Sequence, residues 1–388
     1  MDRKIVRGAA AALVATALGW AASRLHDDPQ DPQHGRDRAF LLLSGAAFGA
    51  ILQRSRFCMA SAFRDLFLLR DRRVALGLLA ALAAGSVGYA VILVARNPEP
   101  MYLPRTAHIA PAGFHLLLGG GTFGLGMVLA GGCVSGSLYR LGEGSLVAPV
   151  ALLGMVGGTL AGFASWNFLY LKVISGSPVV WLPKSLGYGG ALALQLAALG
   201  GLALLLMRLC PALPPKPGEA VTPRVALRKV FRDGWPAWLG GAAVGILGTF
   251  AFLRVGPLGV TSQIGLLARK LGIGPARLEG LDQMAGCRPI LGDSWMADNG
   301  VFVLALVAGS MAAALAAGEF RLRVGKPRTY ALAIAGGALV GFGSMISLGC
   351  TVGTLLSGIM AFSLSGWVFA AGLLGGAWAG TKVLRRLA

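Results

Sequence analysis

Ten apolar runs follow one another along the 388-residue chain, at 8–24, 39–54, 74–95, 113–132, 145–170, 186–207, 236–252, 299–318, 330–349 and 365–384. A bilayer core takes about 20 apolar residues as a helix, and within it every backbone polar group must find a partner inside the protein. The runs therefore predict an all-α, polytopic membrane protein with about nine or ten transmembrane helices. Several runs are too short or too interrupted by glycine to cross alone. The stretches 134–142, 259–271 and 351–362 read as partner half-helices or re-entrant segments. Composition agrees, since 55% hydrophobic against 13% charged residues leaves too little polar side chain to cover a soluble fold of this size.

The formal charge of +19 first suggests nucleic acid as a partner. The Lys and Arg residues, however, sit in short segments between apolar runs. That distribution follows the orientation rule for membrane proteins and speaks against a nucleic-acid surface. The N-terminus, Arg64–Arg73, the linker 208–232, Arg321–Arg328 and Lys382–Arg386 are all basic, and ten spans place them together in the cytoplasm with both termini inside. The segment 253–298 falls outside by this count despite its Arg and Lys residues. Met1–Ala22 has the outline of a signal peptide but is read as a retained first helix. The expected organisation is an extra N-terminal helix and loop at 1–38, a first membrane repeat at 39–207, a Pro-rich basic linker at 208–235 and a second repeat at 236–388.

The repeat is visible in the residues themselves. Gly119-Gly120-Gly121-Thr122-Phe123-Gly124-Leu125-Gly126 matches Gly336-Gly337-Ala338-Leu339-Val340-Gly341-Phe342-Gly343 at a constant offset. The same offset carries Gly132-Cys133 to Gly349-Cys350 and Gly136 to Gly353. In the topology above the copies run in opposite directions. Inverted repeats bring broken helices together near the midplane, where transporters keep their sites.

Four of the five cysteines stand in marked surroundings: Arg56-Phe57-Cys58, Gly132-Cys133-Val134-Ser135-Gly136, Gly286-Cys287-Arg288 and Gly349-Cys350-Thr351-Val352-Gly353. A single free cysteine is usually a small hydrophobe that fills a core gap. Three that each follow a glycine inside apolar stretches point instead to a pathway. Glycine weakens the helix there and opens backbone N–H groups, and a broken-helix N-terminus carries partial positive charge for an anion. A thiol donates and accepts weak hydrogen bonds, and in apolar surroundings it stays neutral, so it does not repel an anion. Conduction favours several such weak sites in series. Cys58, Cys133, Cys287 and Cys350 are the expected substrate pathway, supported by Gly132, Gly136, Gly286, Gly349, Gly353, Arg56 and Arg288. Arg140 and Glu143 read either as an ion pair closing a helix end or as a gate. The four histidines are loop-borne or isolated and have no metal spacing. Neither a Cys-x-x-Cys pair nor a Walker sequence occurs, so no metal, cofactor or ATP-driven pump is expected.

With Ser61-Ala62-Phe63-Arg64-Asp65, Leu129-Ala130-Gly131-Gly132-Cys133, Tyr139-Arg140 and Gly349-Cys350, the sequence resembles the YeeE/YedE family of bacterial inner-membrane proteins over roughly residues 39–384. The resemblance implies uptake of thiosulfate through an hourglass-shaped, pseudo-twofold helical fold, past a relay of thiols formed by Cys133, Cys287 and Cys350, with Cys58 matching a further cysteine. It also implies a possible TusA-like sulfur-carrier protein as partner. Two alternatives stay open: transport of a selenium compound or another sulfur oxyanion, and a membrane sulfurtransferase that forms a persulfide. The expected class is a transporter, not an enzyme.

Overall fold

The computed structural model describes residues 3–27, 31–104, 106–210, 234–273 and 295–387. Among them the regular structure is helical: α1 Arg3–His26, α2 Pro32–Ser55, α3 Met59–Leu68, α4 Arg73–Arg96, α5 Phe114–Leu129, α6 Val134–Gly142, α7 Val147–Ala164 and α8 Trp166–Leu169, then α9 Leu182–Leu209, α10 Ala237–Arg254, α11 Thr261–Ala268, α12 Asp298–Ala317, α13 Pro327–Ile346, α14 Thr351–Met360 and α15 Leu364–Leu387. Nine helices among the described residues are long and apolar enough to cross a bilayer, with α5 and α6 together forming one of them. The protein is a multi-pass, all-α membrane protein. α2 is long enough to cross but more polar, because Arg36, Asp37 and Arg38 open it and Arg54 closes it. The linker and the segment around Cys287 lie outside the described residues.

Small residues let the helix backbones approach, and their contacts fix how the helices run. Gly119 packs on Ser347 and Gly126 on Gly336, so α5 and α13 are antiparallel. Gly154 packs on Ile334 and Gly162 on Met345, so α7 runs parallel to α13. α15 runs parallel to α5, since Gly120 meets Phe369 and Gly124 meets Leu373. α2 pairs in parallel with α12 (Gly45 on Phe302, Gly49 on Leu306), as α4 does with α10 (Gly77 on Ala237, Gly88 on Thr249). Exchanging α2, α4, α5, α6 and α7 with α10, α12, α13, α14 and α15 turns this set of pairs into itself: α7–α13 becomes α15–α5, and α6–α12 becomes α14–α4.

These directions gather two sets of loops. At one face Trp235 N–H donates to the Arg54 carbonyl at 2.8 Å, Arg321 N–H to the Glu143 carbonyl at 3.2 Å, and Arg385 to the Phe67 carbonyl at 3.0 Å. At the opposite face Ala112 N–H donates to the Pro178 carbonyl at 2.8 Å and Trp181 Nε1 to the Ala361 carbonyl at 2.9 Å. The four half-helices α3, α6, α11 and α14 lie between these faces.

Candidate functional site

Helix breaks place the cysteines. Each of Cys58, Cys133 and Cys350 is the residue that precedes a half-helix, in extended backbone conformation, and they cap α3, α6 and α14 respectively. Gly131, with φ 74°, and Leu348, with φ 58°, turn the chain just before Cys133 and Cys350. The first N–H groups of a helix have no partner within it, so each thiol stands beside a set of donors and the positive end of a short helix dipole. Cys350 Sγ already accepts from Val352 N–H at 3.4 Å.

Three segments then converge. The Cys58 and Cys133 thiols interact directly. A methyl group added at Gly136 would stand 2.9 Å from Cys58 Sγ and 3.5 Å from Cys133 Sγ, so both sulfurs share one pocket over that glycine. The Thr351 side chain stands next to the Cys133 thiol, which places the residue after Cys350 against Cys133. Ser135 Oγ lies 3.4 Å from Cys133 Sγ, and Ser61 stands next to the Cys58 thiol. Cys58, Cys133 and Cys350 are 2%, 0% and 1% exposed, so all three are sealed from solvent. Of the supporting glycines, Gly132, Gly136, Gly349 and Gly353 are buried in the same segments. Cys287, Gly286 and Arg288 lie outside the described residues.

Among the described residues, charge surrounds this cluster on one side only. Arg140, at the end of α6, faces Cys58 and Cys133 and donates to the Gly131 carbonyl, bracing the turn before Cys133. It does not close a helix end by pairing with Glu143. Glu143 is buried and pairs with Arg56 at 3.4 Å, and Arg56 also binds Glu319 at 2.9 Å. Gln53 donates to Glu319 at 2.6 Å. This Arg–Glu cluster covers the face of the molecule nearest Cys58. Arg56 reaches it from a left-handed backbone conformation, φ 52°.

On the opposite side the described residues around the cluster are neutral. His108, in the loop joining α4 to α5, is fully buried against α14, with Nε2 3.2 Å from Thr354 Oγ1. Burial pushes its imidazole down to about 4. Sequence reading sets this histidine aside because it has no metal spacing, and nothing local marks it; only the fold brings it to α14. The hydroxyls of Ser61, Ser135 and Thr351 were also missed. Their closeness to the cysteines, as Cys-x-x-Ser, Cys-x-Ser and Cys-Thr, was the available signal.

The profile of the sulphur transport family matches residues 54–379, which takes in all of these segments. The chain belongs to that family. Among similar proteins, one named thiosulfate transporter TsuA from Escherichia coli K12 is 28% identical over 359 residues, covering 87% of this chain and 92% of the relative. Another of that name from Spirochaeta thermophila is 29% identical over 367 residues, covering 89% and 98%. A shorter match, 28% over 192 residues, is to a protein named probable transporter YedE of E. coli K12, covering 49% of this chain and 44% of the relative. This family member therefore places two cysteines in one buried pocket and a third beside them.

Proposed function

We propose that this chain carries thiosulfate across the bacterial inner membrane along Cys350, Cys133 and Cys58, and delivers it at the Arg56 face. The observation that carries the reading is the convergence of three half-helix N-termini, each headed by a thiol, within one buried cluster. A dianion entering such a site meets neutral S–H and O–H donors and the positive ends of short helices, with no fixed countercharge among Cys133, Ser135, Thr351 and Cys350 to hold it. Neighbouring weak sites let the ion step from one to the next. The terminal sulfur of thiosulfate is soft and polarisable, as is a thiol, and this favours it over sulfate. The two relatives named thiosulfate transporters support the substrate.

Reciprocal helix pairing, with α5 antiparallel to α13, supports two inverted copies related across the midplane, with Cys133 and Cys350 at equivalent positions. The Arg56 face carries Arg72, Arg321, Arg385 and the ends of the linker, which supports its assignment to the cytoplasm, with both termini there. A TusA-like sulfur carrier would receive the product at that face. Cys287, next to Arg288 in sequence, remains a further thiol of the relay in this proposal.

Uptake of labelled thiosulfate into proteoliposomes, with sulfate and selenite as competitors, tests the reading. Wild-type vesicles should accumulate label, sulfate should compete poorly, and Cys133→Ala and Cys350→Ala should remove uptake with the protein still inserted. Full uptake by both variants would rule out the relay. A persulfide recovered in stoichiometric yield on one cysteine would favour the sulfurtransferase.

A further inference from the structure

His108 is seated between the two ends of α14. A methyl group at Gly349 would lie 3.3 Å from its Cε1, and one at Gly358 would lie 3.7 Å from its Cδ2. The Thr354 hydroxyl, 3.2 Å from Nε2, also donates to the Ser347 carbonyl at 3.2 Å. With the one hydroxyl proton assigned to that carbonyl, the hydroxyl accepts from the ring; this assignment puts the hydrogen on Nε2 and leaves Nδ1 a bare lone pair. Nδ1 is buried with no hydrogen-bond partner among the described residues. Buried polar atoms left in this state are few and call for a reason.

Among the described residues, the surroundings of the ring supply no charge. The titratable groups in the segments adjoining it, among the described residues, are the Cys350 thiol, next to the Gly349 that meets the ring, and His115 in the first turn of α5, whose imidazole is also buried. The segment Ile346–Gly366, which forms the seat, contains no Asp, Glu, Lys or Arg. Arg96, Glu99 and Lys184 belong to neighbouring segments at this face and are exposed, and Arg96 is tied to the Phe252 and Leu253 carbonyls. A bare lone pair repels an anion. Once protonated, the same atom becomes an N–H donor with a full positive charge beside Gly349-Cys350. Either charge alone is unfavourable in this uncharged seat, whereas together they offset each other.

We infer that His108 is a substrate-contacting residue at the face opposite Arg56, and that the anion loads there together with one proton on Nδ1, so that transport is proton–anion symport. The inference rests on the transport reading above. When the seat opens, a proton from water at that face bonds to Nδ1, and the new N–H donates to an anion oxygen. As the anion moves on toward Cys350 and Cys133, the imidazolium loses its counter-ion. The Nδ1–H bond then breaks by transfer of its proton to water that accompanies the anion, the proton is released with the anion at the Arg56 face, and Nδ1 returns to its bare state.

The full chain in proteoliposomes, with the membrane potential clamped by potassium and an ionophore, tests this. Labelled thiosulfate and a lumenal pH dye are followed together. An inward proton gradient should drive accumulation by up to about tenfold per pH unit, the ratio one coupled proton supports, with acidification of the lumen. His108→Gln keeps an amide donor for Thr354 but cannot titrate; it should lose the gradient-driven accumulation and the acidification while retaining slow equilibration that Cys133→Ala abolishes. His108→Gln vesicles that concentrate thiosulfate as the wild type does would overturn the inference. A second measurement covers a variant that fails to insert: wild-type protein in weakly buffered detergent solution should take up a proton when thiosulfate is added, and binding without proton uptake would also overturn it. Wild-type vesicles that move no thiosulfate at any pH refute the transport reading itself. Uptake that depends on Cys133 yet ignores the gradient refutes only the symport.

Discussion

The Cys58 and Cys133 sulfurs meet over Gly136, whose missing side chain is the space both thiols occupy. One thiol heads α3 and the other heads α6, so the pocket is made by the packing of two half-helices and not by any stretch of sequence. Glycine at 136 is thus required by volume, not by backbone conformation.

Gly136→Ala should therefore act on both sulfurs. A methyl group 2.9 Å from Cys58 Sγ must displace α3, α6 or the thiol. Overpacking of this kind costs about 1–3 kcal/mol. The expected outcome is a lowered melting temperature in detergent with thiosulfate uptake reduced by about tenfold or more. Uptake at the wild-type rate would mean that the shared pocket is not on the route.

Cys133→Ser separates hydrogen bonding from softness. The hydroxyl keeps a donor toward Thr351 and Ser135 but is harder and shorter than the thiol. Loss of one good hydrogen bond is worth about 1 kcal/mol, so a variant limited by donor geometry should lose roughly fivefold in uptake. A larger loss accompanied by better competition from sulfate would assign selectivity to sulfur polarisability. Uptake and competition are read in the same vesicles.

Arg56→Ala leaves Glu143 buried with its ion-pair partner gone, while the more exposed Glu319 can turn to water. Arg56 is itself half-exposed, which tempers the effect, and a loss of about 1–2 kcal/mol is expected. Glu319→Gln should cost less than Arg56→Ala, and Arg56→Ala combined with Glu143→Gln should recover part of the loss. Thermal unfolding of the three variants checks the order.

His108 makes stability fall on acidification. Its folded pKa, about 4, lies below the value of about 6.5 expected in an unfolded chain. Between these values the unfolded state binds a proton that the folded state does not. The contribution of His108 is therefore intact above about pH 6.5, declines as the pH falls toward 4, and levels off below. His108→Gln should remove this slope, seen as the difference between the two proteins in melting temperature across that range. Equal slopes would place the acid sensitivity elsewhere.

Membrane class, the spans and the glycine breaks before Cys133 and Cys350 were legible in the sequence. Hydropathy, helix breaking and residue spacing are local properties, and they hold whatever the helices later pack against. The half-helix α3 was harder to see, because nothing but Arg56-Phe57-Cys58 marks its start. Tertiary structure alone decided that Cys58 shares a pocket with Cys133, that Glu143 pairs with Arg56 in preference to Arg140, and that His108 lies against Thr354. Each of those contacts joins different elements. It depends on how each helix is rotated and how deep it sits against its neighbour, and an apolar run that is hydrophobic on every side leaves that rotation open.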